Sequence, residues 1–231
     1  AIVFSAISYT ENAPAIDAAV SAGIKVVVID SDVDSDGVSA RIGTDNVEAG
    51  RISAAAALDA EPDDLVVGII NCYAETQNCQ EREQGFREAL SSSSRVKGIY
   101  TVNTSTDAGL AEQAAIQLLQ EHPEINVLIG FNEPLAVGTA RAVEELGLAG
   151  QVRTIAFDSN VECIELLQDG VVSALIVQNP YAMGYLGVEK AWEALQGKDF
   201  DSAAPIDTAT LTITKDNLFS MESQKALFSF S

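Results

Sequence analysis

VRTIAFDSNVECIELLQDGVVSALIVQNP, residues 152–180, decides how the rest of the chain is read. A strand-like run, Val152 to Phe157, ends on Asp158. A short helix follows, with Ser159 placed to cap it, Glu162 three residues on, and Gly170 to stop it. A second strand-like run, Val171 to Val177, ends on Gln178-Asn179-Pro180. Each strand delivers a polar residue at its carboxyl end, where open α/β sheets bind ligands. Asp158 and Gln178 could equally be ordinary turn and cap residues. The other strands decide between the two readings.

They repeat the pattern. AIVFS at the start reads as a buried strand ending at Ser5, and residues 14–22 as a helix. KVVVI (25–29) is the next strand and ends on Asp30. After a short extended piece at 40–43, Asp45 and Glu48 form a capping box before an alanine-rich helix. LVVGII (65–70) leads to Asn71, and Asn78 opens the helix that ends in the serine run 91–94. Strand 96–102 is followed by Thr106-Asp107 and a helix over 108–120. Strand 126–131 ends on Asn132, and Pro134 sits in the first turn of the next helix, where a missing N–H is harmless. Residues 181–196 form a helix stopped by Gly197, and TLTIT (210–214) alternates like a half-exposed strand. Strand, polar turn and helix in alternation predict parallel sheets with helices on both faces.

Composition narrows the function. The 231 residues allow one or two domains, and 47% hydrophobic residues suffice for a sizeable core. There are 34 acidic residues against 13 basic ones, a formal net charge of -21. No basic patch is available for nucleic acid or an anionic membrane surface. No apolar run approaches the ~18–20 residues that span a bilayer. Cys72, Cys79 and Cys163 give neither a disulfide framework nor a metal spacing; Cys72 and Cys79 either pair locally or stay buried thiols.

The polar residues just past the strands are Ser5, Asp30, Asn78 with Gln80, Thr106, Asn132, Asp158 and Gln178. They are hydroxyls, amides and carboxylates, with no nucleophile beside a base, so no catalytic residue is assigned. Such a set suits a sugar or polyol. Each ligand hydroxyl both donates and accepts, and Asp, Asn and Gln bridge neighbouring hydroxyls. Several of the same residues are also good helix caps.

Other motifs are weaker. Asp32-Val33-Asp34-Ser35-Asp36-Gly37 starts like a calcium loop, but its twelfth position is Gly43 where Glu is needed. No metal or cofactor is therefore expected. His122, before Pro123, reads as a partner for a helix C-terminus. Trp192, with Leu186 and Leu195, reads as core packing.

Five stretches in order carry a family resemblance: IDSDVDSDGVSARIGTDNVEAG, QEREQGFREAL, GFNEPLAVGTARAVEELG, IAFDSN and LIVQNPYAMGYLGVEKAWEALQG. Together they resemble type I periplasmic sugar-binding proteins of the ribose-binding kind, relatives of lac-repressor-type effector domains. The resemblance implies two doubly wound α/β lobes with parallel sheets, joined by a three-strand hinge, with the sugar between them. It places crossings near Thr44-Asp45, near Gln178 and near 205–208. The N-terminal lobe would be 1–44 plus 179–206, and the C-terminal lobe 45–178 plus 207–231. It implies ligand contacts from Asp30, Gln80, Asn132, Asp158 and Gln178, with Ser5 and Thr106 at contact positions where the family carries other residue types. Ribose binders have Arg where Ser31 and Gln80 stand here, and an aromatic residue at Thr106, which counts against ribose itself. The family starts with about two more strand–helix units, so the N-terminal lobe reads as incomplete.

The function implied is capture of a sugar or polyol for the membrane component of an ABC importer. The protein would be a monomer and not an enzyme, periplasmic or extracellular, with or without a lipid anchor. The alternative is the ligand-sensing domain of a transcription regulator or membrane receptor.

Overall fold

The structure, a computed structural model, describes residues 1–73 and 77–228. In chain order the elements are β1 (Ile2–Phe4), α1 (Ala13–Ser21), β2 (Val26–Ile29), β3 (Ala40–Gly43) and α2 (Asn46–Ala60). Then come β4 (Leu65–Cys72), α3 (Gln77–Ser91), β5 (Val96–Thr104), α4 (Ala108–Glu121), β6 (Val127–Gly130) and α5 (Glu133–Glu145). The chain closes with β7 (Arg153–Phe157), α6 (Val161–Asp169), β8 (Val172–Val177), α7 (Pro180–Leu195), β9 (Ile206–Asp207), β10 (Leu211–Ile213) and α8 (Met221–Leu227). They form two compact units, and Asp45, Gln178 and residues 207–209 belong to the first.

The first unit holds a parallel four-stranded sheet in the order β1-β2-β3-β9. Strand alternation sends Val26 and Val28 to one buried cluster, with Ile16 of α1, and Val27 to another, with Ala191 of α7. β1 is only partly buried, contrary to the sequence reading, because it is an edge strand with a neighbour on one side.

α7 overturns a second expectation. Trp192 is 64% exposed, and Tyr181, Tyr185, Val188 and Leu195 lie exposed along the same face. The helix buries its small side instead: Met183, Gly187, Ala191 and Ala194 are the buried positions. A Cβ on Gly187 would come within 3.0 Å of side chains of Ile29 and Val3, so only a small face fits against this sheet.

The second unit holds a six-stranded sheet in the order β10-β8-β7-β6-β4-β5, parallel except for β10. β5 lies on one side of β4 and β6 on the other, so the strand order reverses between β4 and β6. That reversal opens a crevice at the carboxyl ends of the strands. The core is anchored by Phe86, Phe131 and Phe157, all fully buried, with Phe131 5.6 Å from Phe86 and 6.1 Å from Phe157. α2 and α3 cross at van der Waals distance through Gly50 and Gly85. A Cβ on either would strike the other helix's backbone, at Arg82 O and Val47 O respectively. This explains the glycine of the QGF stretch.

Two caps fall one residue later than expected. Asn160, not Ser159, accepts the N–H of Glu162 at the start of α6. Asp107, not Thr106, accepts the N–H of Leu110 at the start of α4. Asn132 and Asn179 cap α5 and α7, and Gly170 ends α6 in the left-handed region, φ 84°.

Candidate functional site

Asp30 and Asp158 share one unusual geometry. Each follows directly on a parallel strand, and each N–H extends the ladder to the neighbouring strand, at 2.9 Å. Asp30 donates to Ile42 O and Asp158 to Ile176 O. Each then turns the chain with a positive φ, 61° at Asp30 and 69° at Asp158. They are the only non-glycine residues with positive φ among the described residues. The left-handed region costs an L-residue roughly 1–2 kcal/mol, less for Asp, whose short polar side chain bonds locally. The same strained turn, once in each unit, puts a carboxylate just beyond a strand's carboxyl end. Strain of this kind clusters at binding sites.

In the first unit the expected residues form a hydrogen-bonded chain. Ser5 Oγ and Ser31 Oγ each donate to Asp30 Oδ2 at 3.2 Å. Asn78 Nδ2 donates to Ser31 Oγ, also at 3.2 Å. Ser31 therefore links Asp30 to Asn78. A cleft of about 10 Å³, room for a single water, lies beside them and is lined in part by Tyr9, Ser31, Asp32 and Asn78. Burial, then Asp34 and Asp32, push the Tyr9 phenol up from its ordinary pKa. Gln178 is half-buried, its Oε1 accepting from Thr44 Oγ1 at 2.8 Å. Tyr9 and Thr44 were not singled out as ligand groups from the sequence.

In the second unit, Asp158 and Asn132 are half-buried at the ends of neighbouring strands. Gln80 is half-buried in the first turn of α3, and its amide donates to Cys72 O at 3.1 Å. Thr106 is exposed between β5 and α4. Behind the two strand ends sits Arg82, only 3% exposed. It donates to Phe131 O at 2.8 Å and to Asn46 Oδ1 at 2.9 Å, with its guanidinium 4.5 Å over the Phe157 ring. Phe131 and Phe157 immediately precede Asn132 and Asp158, so one buried cation braces both polar ends. The ER of the QEREQGF stretch was the available signal, but its role lies in packing that the sequence does not display.

The remaining motifs are occupied structurally. Asp32, in the calcium-like turn, accepts from Arg41 Nε at 2.8 Å, and Arg41 also donates to Ser35 O and Ser202 O. Among the described residues no group of three metal-ligating side chains comes together. His122 stacks on Tyr100 with ring centroids 3.6 Å apart and approaches Glu124 at 3.3 Å. Its ring thus packs against a side chain, not only the helix end. Cys163 is buried on α6, which pushes its thiol up to about 12.

The strand-end chemistry is therefore one of hydroxyls, amides and carboxylates in both units. The model of the "Periplasmic binding protein domain" family matches residues 1–199. The D-ribose/D-allose-binding protein of Pseudomonas aeruginosa is 30% identical over 193 residues, covering 80% of this chain and 60% of that one. The ribose import binding protein of Bacillus subtilis is 27% identical, covering 85% and 64%. The chain thus spans under two thirds of these relatives' own lengths. Among solved structures, a carbohydrate transporter solute binding protein from Agrobacterium radiobacter in complex with D-arabinose aligns with a TM-score of 0.91 at 25% identity, over 99% of this chain and 78% of that one. A glucose-galactose binding protein from Geobacillus stearothermophilus aligns with a TM-score of 0.87 at 30% identity, over 94% and 77%. The α/β architecture and the match over residues 1–199 lead to one conclusion: the chain belongs to the periplasmic binding protein domain family.

Proposed function

We propose that this chain is the sugar- or polyol-binding body of a solute-binding protein that hands its ligand to an ABC importer outside the cytoplasm. The observation that carries the reading is the pair of strained aspartates, Asp30 and Asp158, one in each unit. Each carboxylate accepts from ligand hydroxyls, and the amides of Asn78, Gln80, Asn132 and Gln178 donate to them. The resemblance supplies the remaining element, a ligand held between two lobes that close on it. Thr106 and Ser5 are the weaker members: Thr106 is exposed, and Ser5 already donates to Asp30. The chain performs no chemistry on the ligand, because no nucleophile–base pair stands among these residues.

Gln80 and Ser31 in place of two arginines make the site less cationic than a ribose site. The ligand is accordingly neutral and rich in hydroxyls, not a sugar phosphate or sugar acid. Thermal-shift measurements against pentoses, hexoses, polyols, sugar phosphates and uronic acids test this. Ligand that binds the native state raises its melting temperature, by ~2.7 kcal/mol of stability at a hundredfold excess over Kd. The proposal expects a response within the neutral panel. A response confined to the phosphates or uronic acids contradicts it.

A further inference from the structure

We propose that Cys72 and Cys79 are a modification site: in an oxidising medium they join as an intrachain disulfide that clamps the first turn of α3 to the end of β4. Cys72 is the last residue of β4 and Cys79 the third of α3. Both are thiols in this structure, 1% and 0% exposed, in the same compact unit. The Cys72 thiol is the leading cause of the raised Cys79 pKa, as a neighbouring side chain would be. Two hydrogen bonds hold the same pair of elements in register. Gln80 Nε2 donates to Cys72 O at 3.1 Å, and Asn71 Nδ2 donates to Cys79 O at 3.4 Å. The disulfide needs the two sulfurs to close to ~2.05 Å, across elements that these bonds already hold together. Cys163 lies on α6 and is not part of the pair.

The oxidant is a small-molecule disulfide. One thiol, as thiolate, attacks it and releases a small thiol, leaving a mixed disulfide. The second protein thiolate displaces the other half, so one small disulfide becomes two small thiols and both protein protons are lost. The neighbouring Cys72 thiol, and then burial, hold Cys79 protonated, well above the ordinary cysteine range. Exchange therefore proceeds during folding or through opening of the first turn of α3, and the finished bond is shielded from reductant. It would fix Gln80, one residue further on, against the strand end. The oxidising compartment rests on the proposed function; the pairing itself does not.

The test refolds the 231-residue chain from denaturant in oxidised and reduced glutathione. Acid quenching, alkylation under denaturing conditions and peptide mapping follow. The expected product is a single link between residues 72 and 79 with Cys163 alkylated, and a melting temperature ~5–10 °C above that of the reduced protein, reversed by dithiothreitol. Cys72→Ser and Cys79→Ser, near-isosteric, should each abolish that gain. Recovery of both cysteines alkylated, glutathione-capped or linked between chains overturns the proposal. So does an equal gain in either Ser variant.

Discussion

Asp158 separates binding from folding if it is replaced three ways. Its positive φ, 69°, and its place past β7 make it both a turn residue and a proposed ligand anchor. Asp158→Ala removes the carboxylate and leaves a Cβ in the left-handed region. A hydrogen bond to a charged group contributes roughly 1.5–3 kcal/mol, so Kd should rise by about ten- to a hundredfold or more. Stability should fall by ~1 kcal/mol as well, since Ala tolerates that φ less well than Asp. Asp158→Asn keeps the turn and only exchanges a charged acceptor for a neutral one. Its cost should be ~1 kcal/mol in binding, about fivefold in Kd, with little change in melting temperature. Asp158→Gly removes the strain with the carboxylate, so the protein should be no less stable and yet bind as poorly as the Ala variant. Calorimetric titration with the ligand found by screening gives the affinities, and thermal unfolding gives the stabilities. If all three variants bind within twofold of the wild type while stabilities shift, Asp158 is only a turn residue and the reasoning fails.

Gly85→Ala should destabilise the second unit by ~1–3 kcal/mol or prevent folding, because the new methyl has no room beside Val47 O; urea unfolding measures it. The Arg141 guanidinium clamps Glu162 through two bonds, 2.5 and 2.7 Å, and holds its carboxyl below the usual range. That contribution is present above the ordinary glutamate pKa of ~4.3 and is lost as pH falls through the lowered value. Arg141→Met should therefore lower the melting temperature at pH 7 and converge on the wild type in acid. With both side chains over a third exposed, the effect stays within ~1 kcal/mol. Trp192→Ser should leave stability within ~0.5 kcal/mol, and the wild-type indole should be quenched by iodide; a quench-resistant Trp192 contradicts its exposure.

The alternation of strand and helix was legible because VVVI, LVVGII and VLIG are apolar on both sides, as strands covered on both faces must be. The strand-end aspartates were legible as polar residues following those runs. Their left-handed turns were not, since Asp is common in ordinary turns too. That turn also explains the misplaced cap: Asp158 uses a residue to reverse the chain, and the cap moves from Ser159 to Asn160. Trp192 misled for a different reason. A helix with large residues on one face and Gly187 and Ala191 on another does not announce which face meets the sheet, and close packing favoured the small one. Arg82 stood in a recognised stretch, but a cation bracing two strand ends from behind is a property of three elements together.

The side-chain amides offer the most direct test of the site. Asn78, Gln80, Asn132 and Gln178 each carry an NH₂ group whose NMR signals report contact with a ligand hydroxyl. Titrating labelled protein with the sugar or polyol that raises its melting temperature should shift all four amides along one binding curve, with Asn103 on β5 unmoved. Saturation with ligand that leaves these four signals in place, while shifting others, would contradict the account.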